Sequence, residues 1–102
     1  MSRKLRYADP AIADLETILR WQTQPGSGAA GIRRVKTIRA AIRRLKDAPC
    51  RHAPGDQPGT RQLPCEGHLV IYEVDPDTGR NATAGDVLVL RVFGPGQSRN
   101  RL

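Results

Sequence analysis

"HLVIYEVDPDTGRNATAGDVLVLRVF", residues 68–93, holds two apolar runs separated by a polar, glycine-bearing stretch that reads as a hairpin loop. "HLVIYEV" is apolar on both faces, and "DVLVLRVF" is too except at Arg91. A strand buried on both faces is central in its sheet, so these two runs set the middle of the fold. Arg91 falls on the same strand face as Val89 and Phe93, which puts it either at a sheet edge or opposite a carboxylate.

Upstream, "TRQLP" is a short strand stopped by Pro64, and residues 47–59, with Pro49, Pro54, Gly55 and Pro58, form a loop. Two helices precede it. The first spans about Pro10 to Thr23, with Asp9 as N-cap, Pro10 at the first helical position, and Ile12, Leu15, Ile18 and Leu19 at helical spacing. The second spans about Ala29 to Leu45 on a stripe of Ile32, Val35, Ile38, Ile42 and Leu45, with arginines and lysines around the remaining circumference. "QPGSGAAG" between them is a turn, so the pair forms a helical hairpin. "RKLRYA" alternates Leu5 and Tyr7 against Lys4 and Arg6, as a half-buried strand does.

The order is strand, two helices, three strands. It predicts an α+β fold: a small antiparallel sheet, its last three strands a meander, with both helices on one face. The 102 residues fit a single domain over residues 1–102, with 94–102 as an arginine-bearing, flexible tail.

Lys and Arg number 17 against 10 Asp and Glu, a net charge of +7 that favours polyanions or an acidic protein partner. No apolar run approaches the roughly 20 residues of a membrane span. The N-terminus lacks the apolar core of a secretory signal, so a cytoplasmic location without a membrane is expected. Cys50 and Cys65 then read as free thiols. With His52 and His68 they make a nominal ligand set, but without CxxC or HxxxH spacing, so neither a metal nor a cofactor is expected.

The joint order of "YADPAIADLETIL", "IRAAIRRLKDAP", "RQLP", "GHLVIYEVD" and "VLRVFG" resembles the RelE/ParE superfamily of toxins from bacterial toxin–antitoxin modules. The resemblance covers nearly the whole chain and rests on the order of its pieces, since no single piece is specific. It implies a cognate antitoxin that lays an amphipathic, acidic segment over the toxin. It also implies one of two targets: messenger RNA cleaved in the ribosome, as in the RelE-like branch, or DNA gyrase poisoned by binding, as in the ParE-like branch.

Cleaving RNA by attack of a 2′-hydroxyl requires a base, an acid and cations for the phosphorane. The resemblance places Leu69 where the ribonuclease branch often has an arginine, and Gly94, Pro95 and Gly96 where a basic residue is expected. No Tyr or His follows Phe93. A ribonuclease would have to use Arg61, His68 and Arg91, and His68 reads as a solvent-facing residue at a strand start. The reading is therefore closer to ParE: a non-catalytic gyrase inhibitor whose target contacts are Arg61, Arg91, Arg99 and Arg101. The alternatives are a ribosome-dependent mRNA endonuclease and a non-toxic relative that only binds its antitoxin. Leu19 and Trp21, late in the first helix, mark the expected antitoxin-docking groove.

Overall fold

The structure is a computed structural model and describes residues 3–22 and 28–94. Its elements are β1 (Leu5–Tyr7), α1 (Asp9–Gln22), α2 (Gly28–Arg43) continued by a 3-10 turn (Arg44–Lys46), β2 (Thr60–Cys65), β3 (His68–Asp75) and β4 (Asp86–Phe93). The sheet order is β1-β4-β3-β2, so the two runs that are apolar on both faces are the two central strands.

The meander pairs antiparallel, but β1 runs parallel to β4, which makes the sheet mixed rather than antiparallel. Two helices and the loop over residues 47–59 separate β1 from the meander, and no tight hairpin forces opposite directions on strands joined by so long a connection. α1 begins at Asp9 rather than Pro10: the Ala8 carbonyl takes the first helical bond, from Ile12 N at 3.1 Å, which makes Ala8 the cap residue. β2 continues through Pro64 to Cys65, since a proline without an N–H is tolerated on an edge strand.

One face of the sheet carries the main core. Ala11, Leu15 and Ile18 of α1 and Val35, Ile38 and Ile42 of α2, with Leu45, pack on Leu63, Val70, Tyr72, Val74, Val87, Val89 and Val92. Burying each large side chain contributes roughly 1.5–3 kcal/mol of transfer free energy. Both helices therefore lie on this face. Ile12, Leu19 and Ile32, read from sequence as part of the same stripes, are 43%, 40% and 43% exposed. The apolar arcs of the two helices are wider than the sheet beneath them.

β4 changes face partway along. Tyr72 pairs with Val89 but Ile71 pairs with Arg91, so Leu90 is the extra residue of a β-bulge. Beyond it the alternation inverts. Arg91 and Phe93 thus face away from the helices with Leu69 and Ile71, and Arg91 does not share a face with Val89 as the run of residues suggests. Leu69, Ile71 and Phe93 form a second, smaller apolar cluster there, flanked by Leu90.

The sheet edges are closed by polar groups. β1 ends at Tyr7, opposite Val89, and leaves the rest of β4 unpaired on that side; α1 covers it by having the Asp14 carboxylate accept the Val92 N–H at 2.8 Å. At the other edge the Ala53 carbonyl accepts from Gln62 N at 3.0 Å. Arg3 joins the ends of the molecule: its guanidinium donates to the carbonyls of Lys46, Asn81, Ala84 and Gly85, gathering the 3-10 turn, the β3–β4 loop and the N-terminus.

Candidate functional site

The stretch after α2 and the loop after β3 meet at Arg61. Its Nε and Nη2 donate to the Asp77 carboxylate at 2.8 and 3.0 Å, while Nη1 donates to the carbonyls of His52 at 2.7 Å and Cys50 at 3.3 Å. The Asn81 side-chain carbonyl accepts from Cys50 N at 2.7 Å, and the Tyr72 hydroxyl donates to Pro49 O at 2.8 Å. Together these bonds tie the 47–59 loop, β2, β3 and the β3–β4 loop to one another. Burial pushes the Tyr72 phenol up to about 12, and burial together with the Asp77 carboxylate raises the Cys50 thiol.

The hydrogen bonds from Arg61 hold the Asp77 carboxyl down at about 2, against an ordinary value of 3.8. Because the folded value is depressed, the associated stability is fully present above the ordinary carboxylate value and is lost as pH falls from about 4 to about 2. Solvent at this surface pair limits it to about 1 kcal/mol. Acid titration of thermal stability is expected to show a limb in that window that Asp77→Asn removes; an unchanged limb in the variant would place the acid sensitivity elsewhere.

Arg91 is engaged in a comparable way. Nε and Nη2 donate to the two carboxylate oxygens of Asp14 at 2.8 and 3.1 Å, and the guanidinium carbon lies 4.8 Å from the centre of the Phe93 ring. The carboxylate pairing was one of the two placements open to it in the sequence. His68 is 5% exposed and not solvent-facing: its Nδ1–H donates to the Glu66 carbonyl at 2.9 Å, since a carbonyl can only accept.

The three residues that a ribonuclease would need are not brought together. Arg61 pairs with Tyr72 and His68 with Cys65, on the helix-bearing face, while Arg91 lies on the opposite face beyond the bulge. The outer face at Leu69 is apolar, with Ile71, Leu90 and Phe93 around it. Arg99 and Arg101 lie outside the described residues, as does the rest of the segment 95–102. Among the described residues no group of three or more His, Cys, Asp or Glu is placed to hold a metal, and no helix is long and apolar enough to cross a membrane.

The helical hairpin carries an open groove of about 270 Å³ bordered by Tyr7, Ile12, Leu15, Glu16, Leu19, Val35 and Arg39. Leu19 is thus in the groove; Trp21 lies in the last turn of α1, and its side chain is outside the described residues. Arg39 stands over the Tyr7 ring at 5.8 Å. Burial raises the Tyr7 phenol, with the positive charges of Arg39 and Arg43 opposing it. The groove is therefore apolar along its floor and basic on its α2 side.

The sequence reading missed Asp14, Asp77 and Arg3. Asp14 carried a signal, for it sits three residues after Ala11 and four before Ile18, an acid within the buried stripe of α1. Asp77 carried none, since an aspartate in a glycine-bearing loop is ordinary turn chemistry.

The arrangement of a short strand, a helical hairpin and a three-stranded meander is that of RelE/ParE superfamily toxins. The chain superposes on a protein from the chromosomal ParDE toxin–antitoxin system of P. aeruginosa with a TM-score of 0.72 at 18% identity, covering 91% of this chain and 96% of that one. It also superposes on a chain of the RelBE2 toxin–antitoxin complex of Mycobacterium tuberculosis, with a TM-score of 0.57 at 19% identity and 95% of each chain covered. No similarity to a curated protein sequence was found. Residues 5–96 match the family described as ParE toxin of the type II toxin–antitoxin system parDE, and the chain belongs to that family.

Proposed function

We propose that the chain is a toxin that inhibits DNA gyrase by binding rather than by catalysis, and that a cognate antitoxin neutralises it by docking an acidic amphipathic helix in the α1–α2 groove. The observation that supports non-catalytic action is the separation of Arg61, His68 and Arg91 onto two faces of the sheet, with both guanidinia bound to aspartates. Charge complementarity selects the occupant of the groove. Ile12 and Leu19 expose apolar surface to the groove, and Arg39, with Arg43 near Tyr7, outweighs the single carboxylate of Glu16 there.

The test is a supercoiling assay with purified gyrase and the purified chain. Inhibition relieved by the antitoxin encoded beside it is expected; unimpaired supercoiling, or codon-register cleavage of translated messages, would overturn the reading. The groove makes a separate prediction. Ile12→Glu with Leu19→Glu places two carboxylates where an acidic helix docks and is expected to weaken antitoxin binding at least 100-fold by calorimetry. Both positions are exposed, so the fold should survive, and antitoxin should no longer rescue growth.

A further inference from the structure

A second cleft, of about 240 Å³, lies on the other side of α2, between the 3-10 turn, the 47–59 loop and β2. Ala41 and Leu63 are its apolar lining, Arg44 and Arg51 its basic lining, and His52 and Cys65 also border it. Arg44 and Arg51 are in neither the Arg61–Asp77 nor the Arg91–Asp14 ion pair. Both arginines line this one cleft together with the apolar Ala41 and Leu63. Glu66 is exposed at the β2–β3 turn beside Cys65.

We propose that this cleft binds a phosphate of a nucleic-acid backbone, with Arg44 and Arg51 as the charged donors and His52 as a neutral bordering residue. A guanidinium fork matches two phosphate oxygens, and an apolar lining strengthens the attraction by excluding water from one side. Burial and the adjacent Arg51 lower the His52 value, so the imidazole adds a polar edge rather than a third charge. Arg33, exposed and eleven residues before Arg44, lies about 16 Å up nearly the same side of α2 and extends the basic surface along a backbone track. An acidic amphipathic helix fits this place poorly. It needs a long apolar stripe, which the α1–α2 groove supplies with Ile12 and Leu19 and this cleft does not.

The proposal is independent of the gyrase reading and is tested on the purified full chain by fluorescence anisotropy with a labelled DNA duplex across a salt series. Arg44→Gln with Arg51→Gln is expected to weaken binding about tenfold at low salt and to reduce the slope of log K against log salt by about 1, for the one phosphate that is no longer neutralised. The charge-matched control is Lys4→Gln, just before β1, with Arg6→Gln on β1, at the opposite edge of the sheet. Equal weakening in both variants would reduce the effect to net charge and overturn the site, as would absence of DNA binding by the wild type. A poly-glutamate peptide that displaces the duplex at matched charge concentration would reassign the cleft to an acidic protein. Inorganic phosphate supplies a second readout: it should shift the amide resonances of Ala48, Cys50, Arg51, His52, Leu63 and Cys65 in the wild type and leave them unmoved in the arginine variant.

Discussion

Asp14→Ala is expected to lower the stability of the fold by about 2–3 kcal/mol, a fall in Tm of about 10–15 °C for a domain of this size. A single carboxylate serves two demands: it closes the unpaired edge of β4 at the Val92 N–H, and it neutralises the Arg91 guanidinium. Val92 is 1% exposed, so water cannot easily replace the missing acceptor. Arg91 is 26% exposed at its side chain and recovers some hydration, which limits its share of the cost. Asp14→Asn retains an acceptor for Val92 but loses the charge and should cost about half as much. Arg91→Met leaves the Asp14–Val92 bond intact and should cost about 1 kcal/mol. Denaturant unfolding of the three single variants and the Asp14→Ala/Arg91→Met double variant separates the edge bond from the ion pair. A loss below about 0.5 kcal/mol for Asp14→Ala would show that the edge of β4 needs no cap.

The same pair bears on the role of Arg91. The guanidinium is bound to Asp14 and stacked on Phe93, and toxicity of Arg91→Met is expected to follow its stability. Growth arrest abolished in a fully folded Arg91→Met chain would restore it as a target contact.

These particulars explain which parts of the fold were legible in the sequence. The central strands announce themselves because Leu69–Val74 and, apart from Arg91, Val87–Val92 carry apolar residues on both faces, a pattern of strands in the middle of a sheet. The helices follow from three- and four-residue spacing, and the groove from the excess of that spacing: Ile12, Leu19 and Ile32 widen the stripes beyond what the sheet can cover. The direction of β1 is not legible, since nothing local couples it to β4. The bulge is also silent, because Leu88, Leu90 and Val92 give the same apolar run with or without an extra residue. Slipping the alternation there by one residue sends Arg91 to the other face. The partner of Arg61 was not legible because Asp77 lies in the hairpin loop, 16 residues away in sequence.

Gly85→Ala is expected to be the costliest substitution in the β3–β4 loop, at about 3 kcal/mol. A Cβ at Gly85 would overlap the Asp75 carbonyl and the Pro76 ring, backbone and ring atoms that cannot rotate away. The residue cannot retreat either. Its N–H donates to Pro76 O at 2.9 Å and its carbonyl accepts from Arg3 Nε at 2.8 Å, so a shift relieving the overlap breaks a bond on one side or the other. Gly79→Ala is the control in the same loop. Its φ of +77° costs an L-residue about 1 kcal/mol, but no atom lies within 4 Å of the added carbon. The consequence of Gly85→Ala reaches Arg61, because the loop it closes carries Asp77 and Asn81, which hold the Arg61 guanidinium and the Cys50 amide. Hydrogen exchange at the Cys50 amide should accelerate at least tenfold in Gly85→Ala and little in Gly79→Ala. Equal exchange in the two variants would show that the 47–59 loop holds Arg61 without help from the β3–β4 loop.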